Sequence, residues 1–320
     1  MRTATRLSAY GAGLVLVFGA ALGAGRVIGP DQAPAPAPAH TEGHADPAGS
    51  GETAGHGDGE HLPGGLQVAQ DGYRLVPLTT RLSVGSARPF AFQVLGPDGK
   101  PVTGYTENHD RDLHLIVARR DLSGYQHLHP VLGADGTWSV PLAVNTPGQY
   151  RVLADFQATA MPEAITLGVD VPAPGDYQPA PLPAPARTAE VDGYTVTLTG
   201  DLRAGAAADL TLAVSRDGKP VTDLESYLGA LGHLVVLRDG DLAYLHVHPT
   251  SEDALAFQAE VPSEGVYRLY LDFQHGGKVR TAEFTAATAA ATAATAASAG
   301  APSPAGDESP GHGSDDHTHD

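Results

Sequence analysis

The chain has 320 residues, a formal charge of −18 and a sequence pI of about 5.1. This acidic balance argues against nucleic acid or an anionic membrane surface as the partner, since both attract basic patches. The chain has no Cys, and Met161 is its only Met besides Met1. Disulfides, thiolate ligands and a thioether-rich copper(I) site are therefore excluded, so any bound metal is expected to have imidazole and carboxylate ligands.

The first 28 residues have the pattern of an export signal. Arg2 and Arg6 precede an uncharged apolar stretch that ends in small residues, as a signal peptidase site requires. The span is also close in length to a membrane helix, so residues 1–28 are predicted to be a cleaved signal peptide or an N-terminal membrane anchor. In both cases the rest of the chain is extracytoplasmic, and only this segment contacts the membrane.

Two terminal segments, 29–64 and 287–320, have low-complexity sequences. The first is rich in His, Pro and Gly, and the second is an Ala/Thr run followed by a His/Asp tail. Both are predicted to be disordered, because they lack the large apolar residues needed to form a core. Their composition fits either a polar linker or a weak metal-capturing tract. They contain seven histidines, which are His40, His44, His56, His61, His312, His317 and His319.

The sequence between these segments is an internal repeat. A Pro-rich linker, residues 173–186, separates a first half, 65–172, from a second half, 187–286. Residues 98–130 align without a gap with 217–249, and 14 of the 33 positions are identical. The two halves are therefore expected to share one fold.

Each half is predicted to be an immunoglobulin-like β-sandwich, which makes the chain an all-β protein with two tandem sandwiches. Each half has about seven short apolar or alternating runs separated by turn residues, and neither keeps a helical period. The strands are predicted near 73–78, 90–95, 113–118, 125–129, 137–143, 149–156 and 165–171 in the first half, and near 194–198, 209–214, 232–237, 243–248, 254–260, 266–273 and 279–285 in the second.

A His-x-His motif in the first half becomes a three-histidine cluster if its strand pairs with the preceding one. The predicted hairpin register places His114 opposite His129, and Ile116 opposite His127. Paired residues share a sheet face, and their Cβ atoms lie about 4.5–5.5 Å apart, so three imidazoles can converge on one ion. A register slip of one residue would separate His114 from the other two.

The second half has the same motif in a corresponding hairpin. A two-residue turn at Gly240-Asp241 would place His233 opposite His248, with His246 on the same face and Leu234 on the core side. The sequence therefore predicts one three-histidine metal site in each sandwich. The alternative for both clusters is a structural polar face, because duplication copies residues whether or not they bind metal.

Five further residues are weaker candidates for metal ligands, and these are Asp155, Asp272, His109, His275 and Met161. The two Asp residues lie in matching strands. Each follows an Arg by four residues on the same strand face, so the sequence favours a structural ion pair over a metal ligand for both. The other three lie in predicted loops, where each can complete one site.

No catalytic motif is present in the sequence. It has no nucleophile elbow, no His-Glu-x-x-His, no phosphate-binding Gly loop and no paired catalytic carboxylates. The protein is therefore predicted not to be an enzyme.

The first half carries the pattern HLIVARRDLSGYQHLHP, followed by GTWSVPL and PGQYRVLADF. This pattern resembles secreted actinobacterial heavy-metal-associated (heavy-metal transporter-like) proteins and, more distantly, the YtkA-like immunoglobulin-type domain. The resemblance covers both halves but not the tails. It implies extracytoplasmic metal handling, with copper as the first expected ion.

The sequence thus favours an exported, non-catalytic protein that binds copper or zinc ions for capture, buffering or delivery. Its expected partners are metal ions and another extracytoplasmic metal-handling protein. The alternative is a cell-envelope structural or protein-interaction module in which the histidine clusters are structural.

Overall fold

Alternating burial along the strands shows how the sequence specifies a two-layer β fold. In this computed structural model, which describes residues 62–245 and 247–288, the strand Thr137–Leu142 alternates buried and exposed positions, as does Ala256–Val261. Such alternation places one face on a core and the other in water. The strand Leu113–Arg119 is instead buried at every position, so both of its faces are covered.

Ten strands form between residues 62 and 178. They are β1 (Ala69–Gln70), β2 (Tyr73–Pro77), β3 (Arg88–Leu95), β4 (Tyr105–Thr106), β5 (Leu113–Arg119), β6 (Gln126–Leu128), β7 (Val131–Leu132), β8 (Thr137–Leu142), β9 (Gly148–Ala158) and β10 (Ile165–Ala173). One sheet has the order β1-β2-β3-β8-β7, and the other has β10-β9-β5-β6 with β4 paired to β9. All pairs are antiparallel, as in an immunoglobulin-like sandwich.

Nine strands form in the described residues from 187 to 288. They are β11 (Thr188–Val191), β12 (Tyr194–Thr199), β13 (Ala206–Arg216), β14 (Lys219–Pro220), β15 (Gly232–Arg238), β16 (Val247–Pro249), β17 (Ala256–Val261), β18 (Val266–His275) and β19 (Lys278–Ala287). One sheet has the order β11-β12-β13-β17-β16 with β14 paired to β13, and the other is β15-β18-β19. The prediction of two tandem sandwiches is confirmed.

Each sandwich contains a tyrosine corner. In this motif a Tyr near the start of a strand donates a hydrogen bond from its hydroxyl to a backbone carbonyl in the preceding loop. The Tyr150 hydroxyl donates to the Thr146 carbonyl at 2.8 Å, and the Tyr267 hydroxyl donates to the Ser263 carbonyl at 2.7 Å. Immunoglobulin-type sandwiches use this bond at the start of the corresponding strand. Each half also has its own apolar core between its two sheets.

A third apolar cluster joins the two sandwiches, which belong to one compact unit. The Tyr125 and Tyr270 rings stack at 3.9 Å, and the Tyr270 hydroxyl donates to the Leu122 carbonyl. Burial of each large apolar side chain contributes roughly 1.5–3 kcal/mol, so this contact is a substantial interface. This interface cluster consists of Ile116, Ala118, Leu122, Leu153, Val235, Leu237, Leu242 and Tyr270, with Tyr125, Leu182 and Tyr244 packed against it.

Two segments predicted to be disordered have ordered ends. The Gly64 carbonyl accepts from the Tyr244 amide at 2.9 Å, and the Gly65 amide donates to the Thr166 carbonyl at 2.7 Å, so the chain here bridges both halves. At the other end β19 extends to Ala287 by pairing with β18. The predicted disorder is therefore wrong for 62–64 and for 287–288. The export signal and the remaining parts of the tails lie outside the described residues.

Candidate functional site

The hairpin of β5 and β6 brings three histidines of the first half together. Leu115 pairs with Leu128 and Ile116 pairs with His127, which is the predicted register. Alternation along β5 then puts His114 on the face of Ile116, away from the core of its own sandwich. One ring nitrogen each from His114, His127 and His129 lies within 4.8 Å of the other two. The predicted convergence of this trio is confirmed.

The rings of the trio are spaced like ligands around a common ion. Their centroids are 5.2 Å apart for His114 and His127, 5.3 Å for His114 and His129, and 4.9 Å for His127 and His129. Imidazoles bound to one tetrahedral ion through bonds of about 2.0–2.1 Å have centroids about 5 Å apart. The trio therefore needs little movement to hold a metal.

Two hydrogen bonds to oxygen atoms show which ring nitrogen of His114 and of His127 carries the lone pair. A carbonyl can only accept, so His114 donates from Nε2 to the Asn108 oxygen at 3.0 Å. A carboxylate likewise accepts, so His127 donates from Nδ1 to Asp272 Oδ2 at 2.8 Å. In neutral rings the other nitrogens, His114 Nδ1 and His127 Nε2, both carry lone pairs, yet they face each other at 3.0 Å.

With Asp272 ionised, two lone pairs face each other at this distance and repel. A cation between the two nitrogens, either a proton or a metal ion, would remove that repulsion. Two ligand nitrogens on one ion lie about 3 Å apart when each bond is about 2.0–2.1 Å. His129 also converges on this point, and its Nε2 is buried and has no hydrogen-bond partner among the described residues. Such an orphaned buried group calls for an explanation, and a missing cation provides one.

Burial keeps two rings of the trio neutral. It lowers the pKa of His114 to about 3 and that of His129 to about 3, with the nearby His127 as the next cause in both cases. Above this range the two rings carry no proton that a metal would have to displace. They are therefore ready to act as ligands at neutral pH.

The second sandwich contributes to the same place through Asp272 and His233. The Asp272 carboxylate is buried and orients His127 across the interface between the halves. The ring of His233 lies 6.2 Å from that of His114 and 6.1 Å from that of His127. His109, in a turn of the first half, lies 5.1 Å from His233 and 6.2 Å from His114. The cluster is therefore an interface site rather than a site within one sandwich.

The second predicted trio does not form by the predicted pairing. Next to the turn the register holds, since Leu237 pairs with Tyr244. Beyond it β16 leaves β15 and joins β17, where the exposed His248 lies opposite Gln258 rather than His233. The pairing of His233 with His248 is therefore wrong, because β15 and β16 belong to different sheets. His246 lies outside the described residues.

The turn of this hairpin also differs from the prediction. The Arg238 amide donates to the Ala243 carbonyl, so four residues connect the strands instead of Gly240-Asp241 alone. Leu242 adopts a left-handed conformation with φ of 61°. This longer connection keeps the predicted register near the turn, because it adds one residue to the turn from each of the two strands.

The alternative of Arg–Asp ion pairs within one strand is wrong. Residues four apart on a strand are about 13 Å apart, so each Arg reaches a neighbouring strand instead. Arg151 pairs with Asp170 at 3.2 Å, and Arg268 pairs with Glu283. Asp155 accepts a hydrogen bond from Thr166. Asp272 lies beside the trio, where it accepts a hydrogen bond from His127 rather than acting as a fourth converging ligand.

Two of the weaker candidates lie away from the trio. His275 was expected in a loop but ends β18, where its ring contacts the Tyr194 hydroxyl at 2.7 Å and Asp223 at 3.3 Å. Met161 is buried in the core of the first sandwich, so its thioether is used for packing. The structure therefore does not bring either side chain to the trio.

A cavity of about 570 Å³ opens beside the trio. It extends into the gap between β15 and β16, because β15 is an edge strand that pairs with β18 on one side and, at its start, with no described strand on the other. Both halves line it, and its polar lining includes His109, His114, His127, Asp155, Glu163 and His233. The cavity gives an ion a path to the trio and room for a further ligand.

Three features of this site were not predicted, although Asp272 and His109 are among the weaker candidate ligands. Asp272 orients His127 from 145 residues away in the chain, Tyr227 accepts from His233, and His109 joins the cluster from a turn. All three depend on the docking of the two sandwiches. A local motif cannot reveal such docking, although the largely apolar sequence of β5 indicates that its second face is covered.

The chain matches a family model described as a domain of unknown function, DUF8832, at residues 67–178 and again at 189–290. No curated protein matches it. In the described part of the chain, no helix has the length and hydropathy needed to cross a membrane.

Among solved structures, the chain is similar to FdeC, an adhesin of Escherichia coli, with 12% identity, 69% of this chain and 65% of that chain covered, and a TM-score of 0.23. It is also similar to invasin, a bacterial integrin-binding protein, with 16% identity, coverage of 69% and 40%, and a TM-score of 0.22. A protein from Corynebacterium diphtheriae described as membrane anchored has 11% identity, coverage of 68% and 57%, and a TM-score of 0.22.

The chain thus spans less than two thirds of each of these three structures. Their TM-scores are low, so the fold stated above rests on the strand pairing and tyrosine corners of this chain itself.

Proposed function

The chain belongs to the family of the domain of unknown function DUF8832, and we propose that it is a non-catalytic metal-binding protein whose centre is the trio His114, His127 and His129. The ion would be captured, buffered or delivered. Asp272 of the second sandwich would orient one of the ligands. A His residue that binds a metal through one ring nitrogen commonly donates a hydrogen bond from the other nitrogen to a carboxylate or carbonyl in this way.

The observation that carries the proposal is the pair of ring nitrogens His114 Nδ1 and His127 Nε2. Their partners on the far side of each ring leave two lone pairs facing each other at 3.0 Å. His129 would supply the third nitrogen ligand, and its buried Nε2 has no hydrogen-bond partner among the described residues. A metal cation satisfies all three nitrogens at once, whereas a single proton satisfies only the first two.

Three imidazole ligands favour copper(II) or zinc among the common ions. We propose copper first, as the heavy-metal resemblance implies, and zinc second. The described residues place no sulfur ligand near the trio, since Met161 is in the core. The export pattern of residues 1–28 supports an extracytoplasmic location, and the histidines of the tails are proposed to raise the local ion concentration.

The proposal is tested by titrating zinc and copper(II) into the full chain with calorimetry. The background is a tail variant in which the seven terminal histidines are replaced by Asn, so that only the folded part binds. His114, His127 and His129→Ala should lower the affinity by more than about 100-fold, because the ligands themselves are removed. The matched control is His275→Ala, which should keep the affinity of the background.

His129→Ala alone is the second variant, and its folding is checked by circular dichroism. It removes a nitrogen that makes no hydrogen bond, so the fold should persist while metal affinity falls. Equal affinities for the background and both variants would overturn the metal function.

A second candidate function is a cell-envelope structural or interaction module, and the bond between His127 and Asp272 favours it. This bond links the two halves and is buried, so the histidines can serve to fix the docking of the sandwiches. A protein of this kind would not be stabilised by metal. A metal-binding protein should gain about 2.7 kcal/mol in unfolding free energy when free metal is 100 times the dissociation constant. Thermal unfolding with and without zinc separates the two functions.

A further inference from the structure

We propose that His109 and His233 form a second, weaker cation position in the cavity beside the trio. This inference rests on the proposed function, because it assumes that metal ions enter the cavity. It goes further by assigning a loading step: an ion would first bind these two residues at the interface and then move to the trio.

The first support is the spacing of the two rings. Their centroids are 5.1 Å apart and their planes are inclined by 80°. Two imidazoles on one ion have centroids about 5 Å apart, so this pair already has the spacing of a shared ion. One ring comes from each sandwich, and both residues line the cavity.

The second support is the state of the His233 ring. It donates from Nε2 to the Tyr227 carbonyl at 2.9 Å, which fixes the tautomer and leaves a lone pair on Nδ1. A ligand histidine is commonly held by a carbonyl on its second nitrogen in this manner. Tyr227 lies in the turn of the second half, where its backbone bonds to Ala230 in both directions.

The third support is the turn that carries His109. Its φ is 50°, a left-handed conformation, and the turn is closed by hydrogen bonds between Asn108 and Arg111 in both directions. The aligned residue of the second half, Leu228, has φ of 55°. Since a leucine makes the same turn, the fold does not require an imidazole at this position.

Carboxylates near the pair provide a reason for cations to gather there. Glu163 is exposed and lines the cavity, and Asp155 lines it further in. Acidic side chains at a cavity raise the local concentration of cations. Carboxylate or water oxygens can also complete the coordination of an ion that only two imidazoles hold.

The second position is close enough to the trio for direct transfer. The His233 ring lies 6.2 Å from His114 and 6.1 Å from His127, all within one cavity. An ion can therefore pass between the two positions without returning to bulk water. The weaker position would control the rate of loading, and the trio would control the final affinity.

The test is zinc calorimetry on the full chain with the seven terminal histidines replaced by Asn. The background should bind two ions, the second at least about tenfold more weakly, because two imidazoles rather than three hold it. His109→Leu, which copies Leu228, should remove the weak event and keep the strong one, as should His233→Gln. The control His275→Ala should keep both events.

Loading is measured in the same variants by stopped-flow competition with a zinc indicator. His109→Leu should slow the filling of the strong site while leaving its final affinity unchanged. A single event in the background, or a weak event and loading rate that survive both substitutions, would overturn the second position and leave the trio intact. Absence of any event that depends on the trio would instead remove the proposed function.

Discussion

The hairpin of β5 and β6 and the corresponding segment of the second half have closely related sequences but end in different sheets. In the first, Ile116 pairs with His127, so the His-x-His motif stays beside β5. In the second, the pairing stops near Tyr244, and β16 crosses to β17. The same motif therefore contributes to a buried cluster in one half and ends with an exposed His248 in the other.

This difference shows that the position of a strand in its sheet, rather than the motif, decides what the histidines can do. Because β16 leaves β15, the face beside His233 opens into the cavity. That gap allows His233 to lie near the trio of the other half. The first half thus contributes the three histidines of the trio. The second half contributes Asp272, His233 and one wall of the cavity.

The largest expected difference is between His127→Ala and His248→Ala, which alter aligned halves of the repeat. His127→Ala should weaken zinc binding by more than about 100-fold, because it removes a ligand and takes away the ring that donates to Asp272 Oδ2. His248→Ala should leave the strong site nearly unchanged, since His248 lines the cavity from β16, which pairs with β17, and is not one of the three converging histidines. Isothermal calorimetry measures both. Similar losses in the two variants would show that the halves form equivalent sites.

A smaller difference is expected between Asp272→Asn and Asp155→Asn. These residues occupy matching strands, but only Asp272 accepts from a ring of the trio. Its substitution should lower zinc affinity by about 10–100-fold, as loss of an orienting carboxylate does. Asp155 accepts from Thr166, so its substitution should cost less. If Asp155→Asn lowered zinc affinity as much as Asp272→Asn or more, Asp272 would not be the carboxylate that orients the trio.

A pH dependence of stability should follow from the buried rings of the first half. The pKa of His114 and that of His129 are lowered from 6.5 to about 3 by burial, so between these values the unfolded chain binds more protons. Stability is therefore full above about pH 6.5 and falls as the pH drops toward 3. Urea unfolding in metal-free buffer should show this trend.

His129→Gln should reduce the slope of that trend, because the ring that takes up the proton is gone. Tyr125→Phe is the control and should keep the slope, since a phenol does not titrate in this range. A slope of the same size in wild type and in His129→Gln would contradict the assignment of the trend to this ring.

The smallest expected effect concerns the docking of the two halves. Tyr270→Phe removes the hydrogen bond to the Leu122 carbonyl but keeps the stack on Tyr125. The free energy of unfolding should fall by about 0.5–1.5 kcal/mol, more if the buried carbonyl stays unpaired. Denaturant unfolding measures it. An unchanged value would indicate that this bond contributes nothing to the interface.

Much of the fold could be predicted from the sequence because it depends on local signals. Alternating apolar residues specify strands such as Thr137–Leu142, and the repeat specifies that the fold occurs twice. The register of β5 and β6 also followed from the motif spacing. This register predicts that His114, His127 and His129 lie together, as the structure shows.

The composite character of the site could not be predicted, because it depends on how the sandwiches dock. Asp272 and His127 are far apart in sequence, and nothing near either residue indicates the other. The pairing of β16 with β17 could not be predicted either, since the sequence of β16 fits pairing with β15 or with β17. Both features are set by packing of whole sheets, for which a short motif carries no signal.

The most direct measurement is anomalous X-ray scattering at the zinc edge from crystals of the zinc-loaded full chain. The proposal predicts a strong peak bonded at about 2.0–2.1 Å to His114 Nδ1, His127 Nε2 and one ring nitrogen of His129. His127 Nδ1 should still donate to Asp272 across the interface between the sandwiches. A map with zinc only on other residues, or with the trio bound to no ion, would contradict it.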